Sequence, residues 1–174
     1  MQTTSPRSQS YTISIGSSSK YNKSGYNYRK TMSDDIIIHN ENMSKLESMS
    51  GDIEVYDSTF NMAKSMSGDV TVQNSEGGLV ATMSGNLKLR GSNIDIVWMQ
   101  SGEGTITSCN IDVLHMYNDT MYMNDSTINV IKTDGKYFVI PKGNKVNIVV
   151  FEYGGQVKVE DGYPIRVVNG EQVQ

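Results

Sequence analysis

Cut every seventeen residues from Met32, the chain lines up with itself as MSDDIIIHNENMSKLES, MSGDIEVYDSTFNMAKS, MSGDVTVQNSEGGLVAT, MSGNLKLRGSNIDIVWM, QSGEGTITSCNIDVLHM and YNDTMYMNDSTINVIKT. The six units cover residues 32 to 133 without an insertion or deletion. A period held that long means that each unit is one module, too small to bury its own apolar face, stacked on the next.

The columns of this alignment turn the repeat into physics. The fifth holds Ile36, Ile53, Val70, Leu87, Gly104 and Met121, and the seventh Ile38, Val55, Val72, Leu89, Ile106 and Met123. Mostly polar residues stand between and beside them, the alternation of a strand with one buried face. A second apolar set starts at the twelfth column (Met43, Phe60, Gly77, Ile94, Ile111, Ile128) and continues at the fourteenth and fifteenth, as in Ile96-Val97 and Val113-Leu114. Two adjacent apolar columns suggest a corner at which consecutive side chains both turn inward.

Between the strands lie turn residues. The ninth column is Asn40, Asp57, Asn74, Gly91, Ser108 and Asp125, and the tenth is mainly serine, with Cys109 in one coil. Short polar side chains there bond local backbone and accept tight conformations. Gly51, Gly68, Gly85 and Gly102 share the third column and are expected to supply positive φ at another corner. Met32, Met49, Met66 and Met83 open four units and are expected to stack inside as flexible filler.

Short strands repeated in register make the coils of a parallel β-solenoid. Helical repeats have periods of about 33 residues or more and propeller blades about 40. A hairpin sandwich has no reason to repeat the same letters at a constant interval. The expected fold is therefore all-β: a parallel β-helix or β-solenoid of about six 17-residue coils over residues 32–133, an extended arm over 1–31 and a non-repeating β cap or assembly segment over 134–174. In that last segment Phe138 and Ile140 still fit the fifth and seventh columns, Pro141 interrupts, and later apolar residues shift by one. A strand at Tyr11–Ile15 is a candidate to cap the solenoid or join a partner.

Charge divides the chain. The arm carries Arg7, Lys20, Lys23, Arg29 and Lys30 with no acid, so the remaining 10 of the 15 basic residues face all 19 acids. A basic arm on an acidic body reads as an anchor for something anionic: an acidic protein surface, nucleic acid or the body of a neighbouring copy. Protein partners are the expectation, with no role for nucleic acid or a membrane. One cysteine excludes an internal disulfide, and neither a secretory leader nor a run of about 18 apolar residues is present, so synthesis in a reducing cytoplasm is expected.

The repeat is also a ruler for candidate sites. His39 and His115 fall about four coils, or roughly 19 Å, apart and cannot share a metal or a dyad. Cys109 has no histidine in its column and is not expected to act as a nucleophile. Asp35, Asp52 and Asp69 stack in the fourth column, and Asp95 and Asp112 in the thirteenth. Such pairs serve acid–base chemistry or calcium in some solenoids, but Asn86 and Thr120 share the fourth column, which fits a turn preference. No metal or other cofactor is expected. Trp98 and His115, adjacent in the sixteenth column, form a candidate outward contact site.

The MSGD, SGDI and SGDV phrases with their alternating apolar residues resemble two groups of β-solenoids, the bactofilins, which are polymer-forming bacterial cytoskeletal proteins, and bacterial putative-adhesin repeats. A bactofilin is a solenoid between short tails, and the resemblance implies end-to-end polymerisation in a bacterial cytoplasm. The long basic arm and large non-repeating C-terminal segment look more like small virion proteins, in which an arm anchors a rigid β body. The expectation is a non-enzymatic structural protein: a capsid decoration, spike or tail component forming a closed homo-oligomer such as a trimer with neighbouring structural proteins. A bactofilin-like filament former is the alternative. A carbohydrate-binding or -cleaving β-helix using the stacked acids and Trp98 is a third.

Overall fold

A computed structural model describes residues 27–117 and 120–169, and the backbone of 11–12. Its strands are β1 (Tyr11–Thr12), β2 (Tyr28–Thr31), β3 (Ile36–His39), β4 (Asn42–Ser48), β5 (Ile53–Tyr56), β6 (Thr59–Ser65), β7 (Val70–Gln73), β8 (Glu76–Thr82), β9 (Leu87–Arg90), β10 (Asn93–Met99), β11 (Glu103–Thr107), β12 (Asn110–Met116), β13 (Thr120–Asn124), β14 (Thr127–Thr133), β15 (Tyr137–Ile140), β16 (Lys145–Phe151), β17 (Gln156–Val159) and β18 (Arg166–Asn169). Odd strands β1 to β13 form a seven-stranded sheet, even strands β2 to β18 a nine-stranded one, and β15 pairs with β17. Every pairing is parallel, and from β2 to β14 the offset within the nine-stranded sheet is 17 residues, as in Tyr28↔Lys45 and Asn110↔Thr127. This is a parallel β-solenoid, and nine strands about 4.8 Å apart give a rod roughly 38 Å long.

The rod extends beyond the six aligned units at both ends. Strand β2 precedes Met32, and Tyr11–Thr12 pairs with Ile36–Ile37, covering the edge of the chain's own seven-stranded sheet. At the other end β16 joins β14 at an offset of 18 residues, Thr127↔Lys145. The extra residue sits in the turn Pro141–Asn144, closed by Asn144 N–H donating to Pro141 C=O at 3.4 Å, with Gly143 at φ +82°. Ile140 is fully buried, in the place the seventh column assigns it.

Asn40, Asp57, Asn74, Gly91, Ser108 and Asp125 all have φ between +48° and +58°. The ninth column is thus the left-handed corner, which short polar residues and glycine tolerate.

The third column works differently from the expectation. Gly51, Gly68 and Gly85 do not have positive φ; only Gly102 does, at +125°. A Cβ on Gly68 would overlap the carbonyl oxygen of Gly51, and one on Gly85 that of Gly68. These glycines let successive turns of backbone touch, and steric room rather than dihedral freedom selects them.

The methionines correct a second expectation. Met32, Met49 and Met66 are exposed, Met32 by 66 %. The seventeenth column (Ser48, Ser65, Thr82, Met99, Met116, Thr133, Phe151) is buried instead, so alternation turns the first column outward and the third inward. Ser65 and Thr82 are tolerated inside because their hydroxyls accept the N–H of Gly68 and Gly85 at 2.9 and 3.0 Å.

The paired apolar columns are the third correction. The fifteenth (Leu46, Ala63, Val80, Val97, Leu114, Ile131, Val149) is fully buried, whereas the fourteenth is partly or well exposed. Residues of the twelfth and fifteenth columns both face the core, so the two between them face out, and the sheet ladder skips the thirteenth. Inside, bulk is shared between coils: Phe60 fills the space that a side chain on Gly77 would need, and Met121 that of Gly104.

The two ends of the core differ. In β2 the inward fifteenth-column position is Arg29, whose Nη2 pairs with Glu41 Oε2 at 3.1 Å. In β18 that position is Val167, 41 % exposed. Among the described residues no helix is long and apolar enough to cross a membrane.

Candidate interaction face

The outward face of the nine-stranded sheet carries the most unusual surface of the rod. Its fourteenth column runs Lys45, Met62, Leu79, Ile96, Val113, Val130, Ile148 and Arg166, each the register partner of the next. Six consecutive apolar side chains therefore line up along the rod, and Ile96 at the centre is 44 % exposed. The sixteenth column runs beside it: Glu47, Lys64, Ala81, Trp98, His115, Lys132 and Val150. Beyond it, the exposed first-column methionines widen the apolar surface. Solvated sheet faces normally alternate with polar residues, so a continuous apolar stripe is a marker of an interaction surface.

Trp98 and His115 are register partners on β10 and β12, side by side on this face as the repeat predicts. Both are partly buried. The edge of the Trp98 ring meets Tyr117 at 6.3 Å between centroids, and the His115 ring lies 4.5 Å from the same tyrosine. His115 Nε2 is enclosed and makes no hydrogen bond; the nearest Glu152 oxygen, at 3.5 Å, is too far for one. Burial, with Glu152, Asp134 and Tyr153 nearby, pushes the Tyr117 phenol up from its ordinary value. Tyr117 and Glu152 had no signal in the repeat beyond sharing the first column, because the contact to His115 joins different coils.

At the N-terminal end of the face Lys45 Nζ pairs with Glu47 Oε1 at 2.7 Å, and Tyr28 donates its hydroxyl to Glu47 Oε2 at 2.9 Å. The Lys45 bond holds the Glu47 carboxyl below its usual range, and Glu47 in turn raises Lys45 and Tyr28. Lys30 is the register partner of Glu47, whereas Arg29 turns toward the core and Glu41. Arg7, Lys20 and Lys23 lie outside the described residues.

The stacked acids have a different job. Asp35, Asp52 and Asp69 each accept the backbone N–H of the next coil's fourth residue through Oδ1, at 2.8, 2.8 and 2.7 Å. Asn86 does the same for Glu103 at 3.0 Å, which explains why Asn and Asp interchange there. Asp112 accepts from Asn129 Nδ2 at 3.0 Å. Among the described residues no three His, Cys, Asp or Glu side chains gather as a metal site would need. His39 stacks on Tyr56 at 4.7 Å on the seven-stranded sheet, far from His115. Cys109 is 2 % exposed and donates its thiol to Thr107 C=O at 3.2 Å; burial pushes its pKa up, the opposite of an activated nucleophile. Two open grooves around Asn42, Thr59 and Glu76 are lined mainly by Asn, Asp, Glu, Ser and Thr side chains.

Comparison with protein-family models, with curated proteins and with solved structures finds no match.

Proposed function

We propose that the protein is a non-enzymatic structural and assembly protein, a rigid β-solenoid rod that associates with copies of itself and with neighbouring structural proteins. A virion component such as a capsid decoration, spike or tail protein is the setting that its basic N-terminal segment and elongated body fit best. The observation that carries the reading is the six-residue apolar stripe from Met62 to Ile148, which runs along the rod and offers a flat surface for another protein. Negative-stain microscopy of the purified chain tests it: discrete particles of a few rods are expected, and open filaments contradict it.

A bactofilin-like filament is the second reading, favoured by β18, the last of the described strands, where Val167 leaves the inward column 41 % exposed. The inward, paired Arg29 at the opposite end opposes indefinite head-to-tail growth. A carbohydrate-acting role draws no support from the fourth-column acids, whose Oδ1 atoms are engaged by backbone N–H groups.

A further inference from the structure

We infer that the apolar face of the nine-stranded sheet is the contact between two copies of this chain, packed side by side and parallel about a two-fold axis running along the rod. The inference rests on the self-assembly reading and adds the face, the orientation and the register.

Symmetry supplies the pairing. Rotating the face by half a turn about an axis parallel to the rod, placed midway between the fourteenth and sixteenth columns, sets each column against the other at the same level. Lys45 then faces Glu47 of the second copy, Leu79 faces Ala81, Ile96 faces Trp98, and Ile148 faces Val150. Each opposed pair is apolar or oppositely charged, or sets an aliphatic residue against a lysine stem or His115: Met62 with Lys64, Val130 with Lys132, Val113 with His115.

Other arrangements that keep all eight levels in contact place like charges together, as do some that give up one level. An antiparallel pair centred between Ile96 and Val113 brings Lys45 against Arg166, and one centred on Ile96 brings Lys64 against Lys132. A parallel pair shifted by one coil sets Lys45 against Lys64 and leaves an open-ended contact. Moving the axis onto the sixteenth column opposes Glu47 to Glu47 and Lys132 to Lys132. Like charges directly opposed are penalised, so at full overlap charge favours the parallel in-register pair, and the apolar stripe rewards that overlap over shorter antiparallel ones.

The area fits a reversible contact: eight levels about 4.8 Å apart span roughly 34 Å, and two columns about 7 Å apart make with their side chains a strip about 13 Å wide, giving roughly 450 Å² per partner against roughly 800 Å² for a standard stable interface.

The test combines mass and cross-linking on the full chain. Wild-type protein is expected to be dimeric by sedimentation, and Ile96→Lys to weaken that dimer at least about tenfold. Lysine already occupies the same column at Lys45, so the variant is expected to fold, and an unchanged circular dichroism spectrum checks this. Cys109 is buried, so added surface thiols report alone. Mixing Val130→Cys chains with Lys132→Cys chains under mild oxidation is expected to give a disulfide-linked pair, while Leu79→Cys with Lys132→Cys gives none. Efficient linkage of the latter pair, or a trimer, overturns the proposed geometry. A multimer indifferent to Ile96→Lys and silent in cross-linking overturns the face but leaves self-assembly standing. A monomeric wild-type chain overturns both.

Discussion

Ser75 Oγ accepts the backbone N–H of Ser58, seventeen residues earlier, at 3.1 Å, and donates to Gln73 C=O at 2.8 Å. The link repeats along the tenth column, from Glu41 N–H to Ser58, Ser75 N–H to Ser92, Cys109 N–H to Ser126 and Ser126 N–H to Asn144 Oδ1. A chain of buried hydroxyls thus satisfies the backbone at the left-handed corner. Removing one hydroxyl strands a buried N–H and weakens a carbonyl's pairing. Ser75→Ala is expected to cost about 1–3 kcal/mol, read from urea or thermal unfolding. A change within error would show that water replaces the hydroxyl.

The two kinds of glycine respond oppositely to substitution. Gly68→Ala drives a Cβ into backbone of the previous coil, which cannot yield without separating the coils, and should destabilise by about 2–4 kcal/mol. Gly91→Asn places at φ +58° a residue that Asn40 and Asn74 already carry there, and should shift stability by less than about 1 kcal/mol. Equal effects in an unfolding titration would refute the distinction.

Cys109 should be inert to thiol reagents until the chain unfolds, then react fully. Burial raises its folded-state pKa above the ordinary 9.0. Its contribution to stability is therefore complete below about pH 9 and is lost as pH rises above it, because the unfolded thiol ionises first. Cys109→Ser restores the column's usual residue and should remove that alkaline component. Rapid labelling of the native protein would contradict the burial.

Arg29 takes the inward position of the first described strand of the nine-stranded sheet. Replacing it with valine extends the apolar fifteenth column to β2, the first described strand of its sheet, and leaves Glu41 without its partner. Arg29→Val is expected to give concentration-dependent, salt-insensitive association beyond the dimer, measured by light scattering. No change in size distribution would mean that the end is protected by other means.

Much of this fold is legible in the sequence because a period written out in columns averages over local noise. The alternation at Ile53-Glu54-Val55 and the short polar residues from Asn40 to Asp125 point to the strand and the left-handed corner seen in the structure. What composition hides is direction. Val97 and Ile96 are both aliphatic neighbours, yet one is buried and the other 44 % exposed, because the chain bends between the twelfth and fifteenth columns. Met66 is apolar and faces water because the adjacent Ser65 takes the inward place, where its hydroxyl serves the Gly68 turn. Glycine, likewise, answers to a positive φ or to a close contact, and its letter does not say which. The same ambiguity hides the fourteenth-column apolar face: its residues read as apolar, and only the bend turns them outward.

The central claim, that the rod works through a self-complementary face, is met most directly by the mass of the purified 174-residue chain in sedimentation equilibrium. The expected result is a single closed species at twice the 19.3 kDa chain mass, dissociating on dilution. A monomer at every concentration, or a mass that grows without limit, would contradict it.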